Sequence, residues 1–598
     1  MKMPGYATGT TIFDLSWQCG CDLAEGLKPS EIRKITQLTP QSARPEMSKG
    51  RLLDLSAIFV LSFSVLVALV VYIDDPQALT SNGVFKAVTI KRWLADPRGG
   101  VLDHSNYLYY PFMALLCHAL DLLGVLPGDP RHQLPLINSL FASLCLCAVY
   151  LLVRQITGNR LIACAAALFH FASAFFLNLA ISNEDILPSY TLLLISMALA
   201  SLWFVEPTKR RVAIVAILFT LAWLFEWRLM FPTLPALLLA LALGPGRPWA
   251  RLGRILLFLI VMVGVAEIAM LLWGPQNNNA GRVIDLLWTG KGVSEGWAGF
   301  SEVKVSLLWA GISQYLVRGD NIGAPSIVQL MWVELLSAST FITVVAVLSI
   351  AILWRERRTT QARVLASIFG VTFAAGEVLN LYSQPQDPQM QINVMAWLTV
   401  GWALILAEGA RWRPRPVLGA ALAATSALLV FNFKQMPVPG HDSEWRRSLE
   451  RIERETDLSR TVFLLFGFEP AVSEKFYQWD GDWDYFDKLG PAPAPKPRFK
   501  LLAVVSGPVH RPKATGAELA NELKGQIERT LDLGYEVLAN SVWDASEVVL
   551  ADELATIADA QKASALYHML HENYVGTLSF TDPIAGRYYR LTRKPKEP

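Results

Sequence analysis

The chain has 598 residues, of which 53% are hydrophobic and only 17% are charged. This leaves too little polar surface to cover a soluble globule of this size. The formal net charge of +2 gives no reason to expect a nucleic-acid or strongly acidic partner. All six cysteines lie at or before Cys164, and we expect them to be free thiols without a function. The composition therefore indicates an integral membrane protein.

Long apolar runs recur along the chain. A helix needs roughly 20 apolar residues to cross about 30 Å of hydrocarbon, because it rises about 1.5 Å per residue. About eleven runs approach this length, near residues 52–73, 133–153, 160–181, 186–205, 211–226, 229–244, 254–274, 330–354, 363–381, 392–409 and 416–433. We therefore predict an α-helical polytopic membrane protein with about eleven transmembrane helices.

The loops between these runs alternate in charge. Lys and Arg are retained on the cytoplasmic side during insertion, so basic loops mark that side. The short loops 182–185 and 384–388 contain neither. The basic loops are Arg154–Arg160, Lys209–Arg211, Arg247–Arg254, Arg355–Arg363 and Arg411–Arg415. The pattern predicts a protein of the cell (inner) membrane with a cytoplasmic N-terminus and an extracytoplasmic, periplasmic C-terminus.

Three regions follow from this pattern. Residues 1–50 are polar and lack a signal-peptide pattern, so we predict a cytoplasmic tail. Residues 51–435 form the predicted transmembrane domain, with long outer loops at 74–132 and 275–329. Residues 436–598 form a predicted extracytoplasmic soluble domain.

Helix-like and strand-like segments alternate in the C-terminal region. Predicted helices cover 441–457 and Gly516–Leu533, and predicted strands cover Thr461–Phe468, Phe499–Val505 and Tyr535–Asn540. The alternation predicts an α/β domain with a partly parallel sheet. In the first long loop, Asn82–Leu94 and Pro111–Leu123 have the length and composition of interfacial helices.

Two adjacent acids, Asp74 and Asp75, directly follow the first apolar run. A carboxylate at the boundary between membrane and water suits a general base. The alternative is that Asp74-Asp75-Pro76 only ends the helix. Downstream in the same loop lie His104, Tyr107 and Tyr110, which either contribute to a site or form an aromatic belt at the membrane surface.

Further polar residues lie in the short outer loops. Glu184 and Asp185 must lie close to the membrane surface, where a charge is costly unless it faces a cavity or a partner. Arg228 has the planar fork that binds phosphate, or else it pairs with Glu226 or Glu184. Asp387 and Gln389 lie in an amide-rich loop, which suits either sugar hydroxyls or a solvated turn.

Taken together, these features resemble the GT-C class of membrane glycosyltransferases, which includes relatives of protein mannosyltransferases and aminoarabinose transferases. The resemblance covers residues 50–435 and rests mainly on the architecture. Three local segments match: the acidic pair Asp74-Asp75 after the first span, the segment His104–Pro111 that enters the second interfacial helix, and Glu184 on a later outer turn.

The resemblance implies an inverting transfer of a sugar from a polyprenyl-phosphate donor to a glycan, lipid or protein acceptor. Asp74 or Asp75 would deprotonate the acceptor, and Arg228, with Arg282 or Lys91, would stabilise the leaving phosphate. No cofactor or bound metal is expected, although the carboxylates are compatible with a divalent cation. The expected substrate-binding residues are His104, Tyr107, Tyr110, Glu184, Asp185, Glu226, Arg228, Asp387 and Gln389.

Two other functions fit many of the same features. A lipid or glycan transporter or flippase would also have many spans, and a non-catalytic envelope scaffold would also have an outer soluble domain. Transporters place polar groups near the middle of the membrane, whereas the acids of this chain cluster at the outer ends of its spans. This location favours an active site at the membrane surface.

Overall fold

The structure is a computed structural model, and it contains helices at all eleven predicted spans. It describes residues 49–73, 81–96, 107–226, 229–273, 303–317, 332–382, 391–434, 441–465, 484–485, 489–495, 498–503, 514–547, 560–583 and 586–595. The helices of the membrane region are α1 Lys49–Ile73, α2 Ser81–Ala95, α3 Tyr109–Leu122, α4 Pro130–Thr157, α5 Arg160–Ala172, α6 Ala174–Ile181, α7 Ile186–Trp203, α8 Lys209–Phe225, α9 Met230–Leu243, α10 Pro248–Trp273, α11 Val303–Leu316, α12 Trp332–Arg355, α13 Thr360–Leu365, α14 Val371–Tyr382, α15 Ile392–Trp412 and α16 Pro414–Lys434.

Within the described residues, eight helices are long and apolar enough to cross a membrane, or nine if the pair α5 and α6 forms one span. These two helices are bent by 72° at Ser173. Two predicted spans are shorter helices: α8 has 17 residues and α9 has 14. The chain is an integral membrane protein.

Local sequence signals explain where several of these helices begin and end. The side chain of Asn159 caps α5 by accepting from the backbone N–H groups of Leu161 and Ile162, and Thr208 caps α8 in the same manner. Gly158 ends α4 in the left-handed conformation, with φ of 68°. Between α13 and α14, the π-helical turn Ala366–Gly370 keeps the two helices in one span.

The helices differ in how much of their apolar surface other helices cover. Most of α4, α7 and α15 is buried inside the bundle, whereas only a small part of α1, α10 and α16 is buried. A helix that is apolar on all sides must be covered by protein or by lipid. The bundle therefore has a central set of helices and an outer set suited to contact lipid.

Both predicted helices of the first long loop are present, as α2 and α3. The helix α2 contributes Ala87, Ile90 and Trp93 to the same hydrophobic core as the membrane helices. Its residues Val84 and Val88 belong instead to a second cluster, together with apolar residues of the C-terminal region. This helix thus packs on two sides.

The C-terminal region contains the predicted partly parallel sheet. Its elements are α17 His441–Glu455, β1 Thr461–Leu465, β2 Asp484–Tyr485, β3 Lys500–Ala503, α18 Gly516–Asp532, β4 Glu536–Ala539, α19 Ala560–Asn573, β5 Tyr574–Asp582 and β6 Gly586–Arg593. The strand order is β2-β3-β1-β4-β6-β5; the first four strands are parallel, and β6 is antiparallel to both β4 and β5.

The two faces of this sheet have separate cores, because successive side chains of a strand point to opposite faces. Val462 and Leu464 of β1 pack in the cluster that includes residues of α18 and α19. Phe463 and Leu465 of the same strand pack in the cluster that includes α17 and the α2 residues Val84 and Val88. The second face of the sheet therefore adjoins the first long loop of the membrane region.

Candidate active site

Two buried acids lie in the short connection between α6 and α7. Glu184 is completely buried, and Asp185 is 2% exposed. The side chain of Asn138, from α4, fixes the connection by donating hydrogen bonds to the carbonyl oxygens of Ser182 and Glu184, each at 2.7 Å. The backbone that carries both carboxylates is therefore tied to a central helix of the bundle.

A buried lysine of α2 pairs with both acids. The Nζ atom of Lys86 lies 2.6 Å from Oε2 of Glu184 and 2.6 Å from Oδ1 of Asp185. Burial disfavours the ammonium form of Lys86, but the attraction of Asp185 and Glu184 outweighs it and raises the pKa of Lys86 above its ordinary value. The cluster thus contains two acidic groups and one basic group away from water.

The backbone of α2 approaches the same connection very closely at Gly83. A Cβ atom placed at this position would lie 1.6 Å from Oδ1 of Asn183. Only glycine at this position leaves room for the Asn183 side chain. The helix α2 therefore contacts the connection Ser182–Asp185 at two positions, Gly83 and Lys86.

The start of α3 completes the cluster. The backbone N–H of Leu108 donates to the carbonyl of Leu224, near the end of α8, at 2.7 Å. The hydroxyl of Tyr109 is buried, and its pKa is raised by burial and by the nearby Asp185, Tyr110 and Glu184. The structure therefore brings the Tyr107–Tyr110 segment close to the two acids and to the end of α8.

The predicted site residues fall into two groups. Of the described ones, Glu184, Asp185, Tyr107 and Tyr110 are buried in or beside the cluster, and Glu226 is fully buried at the end of α8. The remaining predictions lie outside the described residues: Asp74, Asp75, His104, Arg228, Arg282, Asp387 and Gln389. Lys91 is described but lies about 140° around α2 from Lys86, at roughly 100° per residue.

Sequence reasoning missed the residues that give the cluster its geometry. Lys86 pairs with Glu184 and Asp185, whereas the sequence suggested only Arg228 as a partner for Glu184 or Glu226, and Arg228 lies outside the described residues. Lys86 is flanked by apolar residues in the run Val84–Val88, and Asn138 interrupts an apolar run of α4 in the same manner. A polar residue inside an otherwise apolar run is the signal that could have identified both.

Among the described residues, no group of three or more His, Cys, Asp or Glu side chains could hold a metal ion. The four described cysteines, Cys117, Cys145, Cys147 and Cys164, form no disulfide with one another, and Cys19 and Cys21 lie outside the described residues. Burial raises the pKa of the Cys117 thiol to about 12, which keeps it protonated at neutral pH.

No family model and no curated protein matches the chain. The structure is similar to a solved oligosaccharyltransferase of Archaeoglobus fulgidus in complex with Zn and sulfate, at 12% identity and a TM-score of 0.51, covering 89% of this chain and 72% of that one. Two structures of ArnT from Cupriavidus metallidurans each have 12% identity and a TM-score of 0.46. The form bound to undecaprenyl phosphate covers 91% of this chain and 98% of that one, and the apo form covers 90% and 98%.

At 12% identity, the similarity to the archaeal enzyme concerns the fold, and the TM-scores of the two ArnT structures are too low to add to it. The similarity extends over 89% of this chain. The chain thus shares the fold of this archaeal oligosaccharyltransferase, in agreement with the GT-C-like fold predicted from the sequence.

Proposed function

We propose that the chain is a glycosyltransferase that moves a sugar from a polyprenyl-phosphate carrier to an acceptor on the extracytoplasmic side of the membrane. The observation that carries this proposal is the buried cluster of Glu184, Asp185 and Lys86 beside Tyr109, next to the first long loop of a GT-C-like bundle. The donor class comes from the family resemblance.

The cluster contains polar atoms suited to bind sugar hydroxyls. Oε1 of Glu184, the side-chain amide of Asn183 and the hydroxyl of Tyr109 are buried and have no hydrogen-bond partner among the described residues. A buried polar atom without a partner costs about 1–3 kcal/mol, which a bound hydroxyl would recover. A carboxylate accepts, an amide donates and accepts, and a phenol does both, which matches the hydroxyl groups of a sugar.

The proposed reaction is a direct displacement at the anomeric carbon. Asp74 or Asp75, directly after α1, removes the proton of the acceptor hydroxyl, and the resulting oxygen attacks the anomeric carbon. The bond from this carbon to the phosphate oxygen breaks as the glycosidic bond forms, so the configuration inverts. The lipid phosphate leaves with the bonding electrons, and Arg228, with Arg282, stabilises its charge. Lys91 lies on the side of α2 that points away from Lys86 and is not assigned this role.

The remaining predicted residues act in substrate binding. Glu184 contacts the sugar through Oε1, the oxygen that Lys86 does not occupy, and Asp185, Tyr107, Tyr110 and Glu226 complete the binding site. His104, Asp387 and Gln389 contribute from the outer loops. The loop charges support an extracytoplasmic site, because the connection that carries Glu184 contains no Lys or Arg.

Deletion of the gene in its host tests this function. Envelope glycans and lipid-linked sugars are compared by mass spectrometry between the deletion strain and the wild type. The proposal predicts that a lipid-linked sugar accumulates and that a glycan, lipid or protein loses that sugar. Asp74→Asn, Asp75→Asn and Glu184→Gln variants are then used for complementation, with Asp96→Asn as the matched control.

We expect the control to restore the glycan, because Asp96 is exposed at the end of α2. At least one of Asp74→Asn and Asp75→Asn should fail to restore it. Full activity of both variants would rule out Asp74 and Asp75 as the general base. An unchanged pool of lipid-linked sugars in the deletion strain would rule out a lipid-linked sugar as the donor.

A further inference from the structure

The helix α2 presents different chemistry on opposite sides. At about 100° per residue, Val84 and Val88 lie about 160° and 200° around the helix from Lys86, so together they are centred on the opposite side. Gly83, Ile90 and Trp93 lie on the same side as Lys86. One side of α2 therefore faces the candidate site and the membrane core, and the other lies against a different partner.

This partner is the C-terminal domain. Val84 is completely buried and Val88 is 2% exposed, and both belong to a cluster with Leu449 and Ile452 of α17. The same cluster contains residues from one face of the sheet: Phe463, Leu465, Phe499, Leu501, Leu538, Phe580 and Tyr588. The domain thus covers the side of α2 that points away from Lys86.

Lys86 needs a firmly positioned helix. Its long side chain has high rotational freedom, and fixing it costs conformational entropy. Its ammonium group must also stay close to two buried carboxylates, because a buried charge without a partner is strongly unfavourable. A short helix of 15 residues that is anchored on only one side would hold this geometry poorly.

We propose that the C-terminal domain is a positioning module for the candidate site: by packing on Val84 and Val88, it holds Lys86 between Glu184 and Asp185. The packing and the ion pairs carry this proposal, and only its consequence for sugar transfer rests on the proposed function. Lys86 is a positioning residue in this scheme, because it sets the orientation of the two acids and leaves Oε1 of Glu184 to the substrate.

Hydrogen exchange on the full-length protein in detergent micelles tests this coupling. A Val84→Ala/Val88→Ala variant removes four methyl groups from the side of α2 that faces the domain. We expect exchange at residues 182–186 to rise about threefold or more, since opening of α2 would release the acids from Lys86. Val575→Ala, at an exposed position of β5, is the matched control and should leave exchange at 182–186 unchanged.

Two further variants separate coupling from general loosening. Val88→Ile keeps the apolar contact and should retain wild-type exchange at 182–186. Lys86→Met should raise exchange at 182–186 by itself, and adding the two alanines to it should raise exchange little further, because both changes act through the same contact. Exchange in α18 reports whether the C-terminal domain itself has unfolded. If exchange in α18 rises in the double variant, the single Val88→Ala variant replaces it, and exchange at 182–186 is measured in that variant with the same expected rise.

Wild-type exchange at 182–186 in a valine variant whose α2 has loosened would overturn the proposal. Strictly additive effects of Lys86→Met and the alanines would also overturn it. Because the readout is exchange, failure of this coupling leaves the transferase assay of the Asp74 and Asp75 variants unaffected. Loss of the transferase function would likewise leave the exchange result standing.

Discussion

Lys86 is the residue on which the candidate site depends most. It is paired with two carboxylates that are at least 98% buried, at 2.6 Å from each. Removing one partner from a buried ion pair costs about 3–5 kcal/mol, because an uncompensated charge stays inside the protein. The cluster is therefore sensitive to single changes and tolerant of changes that remove all its charges together.

Lys86→Met should accordingly lower the stability of the purified protein by about 3–5 kcal/mol, measured by unfolding in detergent micelles. The triple variant Lys86→Met/Glu184→Gln/Asp185→Asn should recover most of this loss. Lys91→Met, on the same helix, is the control and should cost less than about 1 kcal/mol. A loss equal to that of the control would show that the ion pairs do not stabilise the fold.

A smaller side chain at position 86 should open a cation site. Lys86→Ala leaves Glu184 and Asp185 facing an empty volume, and oxygen ligands with negative charge bind divalent cations. We expect Mn²⁺ to raise the melting temperature of this variant, because a ligand that binds the folded state stabilises it. Adding Glu184→Gln and Asp185→Asn should abolish the effect. An equal shift in the wild type would place the bound cation elsewhere.

Part of this site could be predicted from residue types alone. Glu184 and Asp185 were identified because acids at the ends of spans are costly, whereas Tyr107 and Tyr110 were proposed from the resemblance to the GT-C class. Lys86 was not, because it lies 98 residues before Glu184 in the sequence and only the tertiary fold brings them together. A local pattern reveals which residues need a partner but not which residue supplies it.

At the scale of elements, the apolar runs predicted correctly where helices occur. They predicted the lengths of those helices less well. Every predicted span is helical, whereas α5 and α6 bend by 72° and α8 and α9 are short. The bend follows Ser173, and the sequence has no proline there to mark it. Where a helix bends depends on packing, and the hydropathy of a run does not record it.

The strands of the C-terminal sheet were also predicted only in part. The central strands β1, β3 and β4 were predicted because they are short, buried apolar runs. The strands β5 and β6 were missed: β5 is largely exposed and has no buried apolar run, and only the short stretch Thr577–Thr581 alternates between polar and apolar residues. Strands that face water on one side and pair at an edge are defined mainly by their partners.

The close approach of α2 to the connection Ser182–Asp185 can be tested by a substitution at Gly83. Gly83→Ala should destabilise the protein, because the new Cβ would lie 1.6 Å from Oδ1 of Asn183. Adding Asn183→Ala removes the obstructing atoms and should restore stability. Gly253→Ala, in α10 with nothing within 4 Å of its Cβ position, is the control and should be neutral or slightly stabilising. The melting temperatures of the wild type, Gly83→Ala, Gly83→Ala/Asn183→Ala and Gly253→Ala are compared by thermal unfolding. An unchanged melting temperature of Gly83→Ala would contradict this packing.

At the scale of the whole molecule, loop charge predicts that the C-terminal domain lies outside the cytoplasm. Single cysteines are introduced at Asn521, exposed on α18, and at Arg210, exposed at the start of α8, in a chain whose native cysteines are replaced. An impermeant maleimide should label Asn521→Cys in spheroplasts, and should label Arg210→Cys only after permeabilisation. The reverse pattern would place the candidate site on the cytoplasmic side.

The most direct test of the central claim is turnover of the lipid donor by the purified chain. Lipid extract from the deletion strain supplies the donor, and mass spectrometry follows the conversion of lipid-linked sugar to free polyprenyl phosphate in the presence of host envelope acceptor. We expect the wild-type chain to release one polyprenyl phosphate for each sugar transferred, and the Asp74→Asn/Asp75→Asn variant to release none. No release by the wild type, or equal release by the double variant, would contradict it.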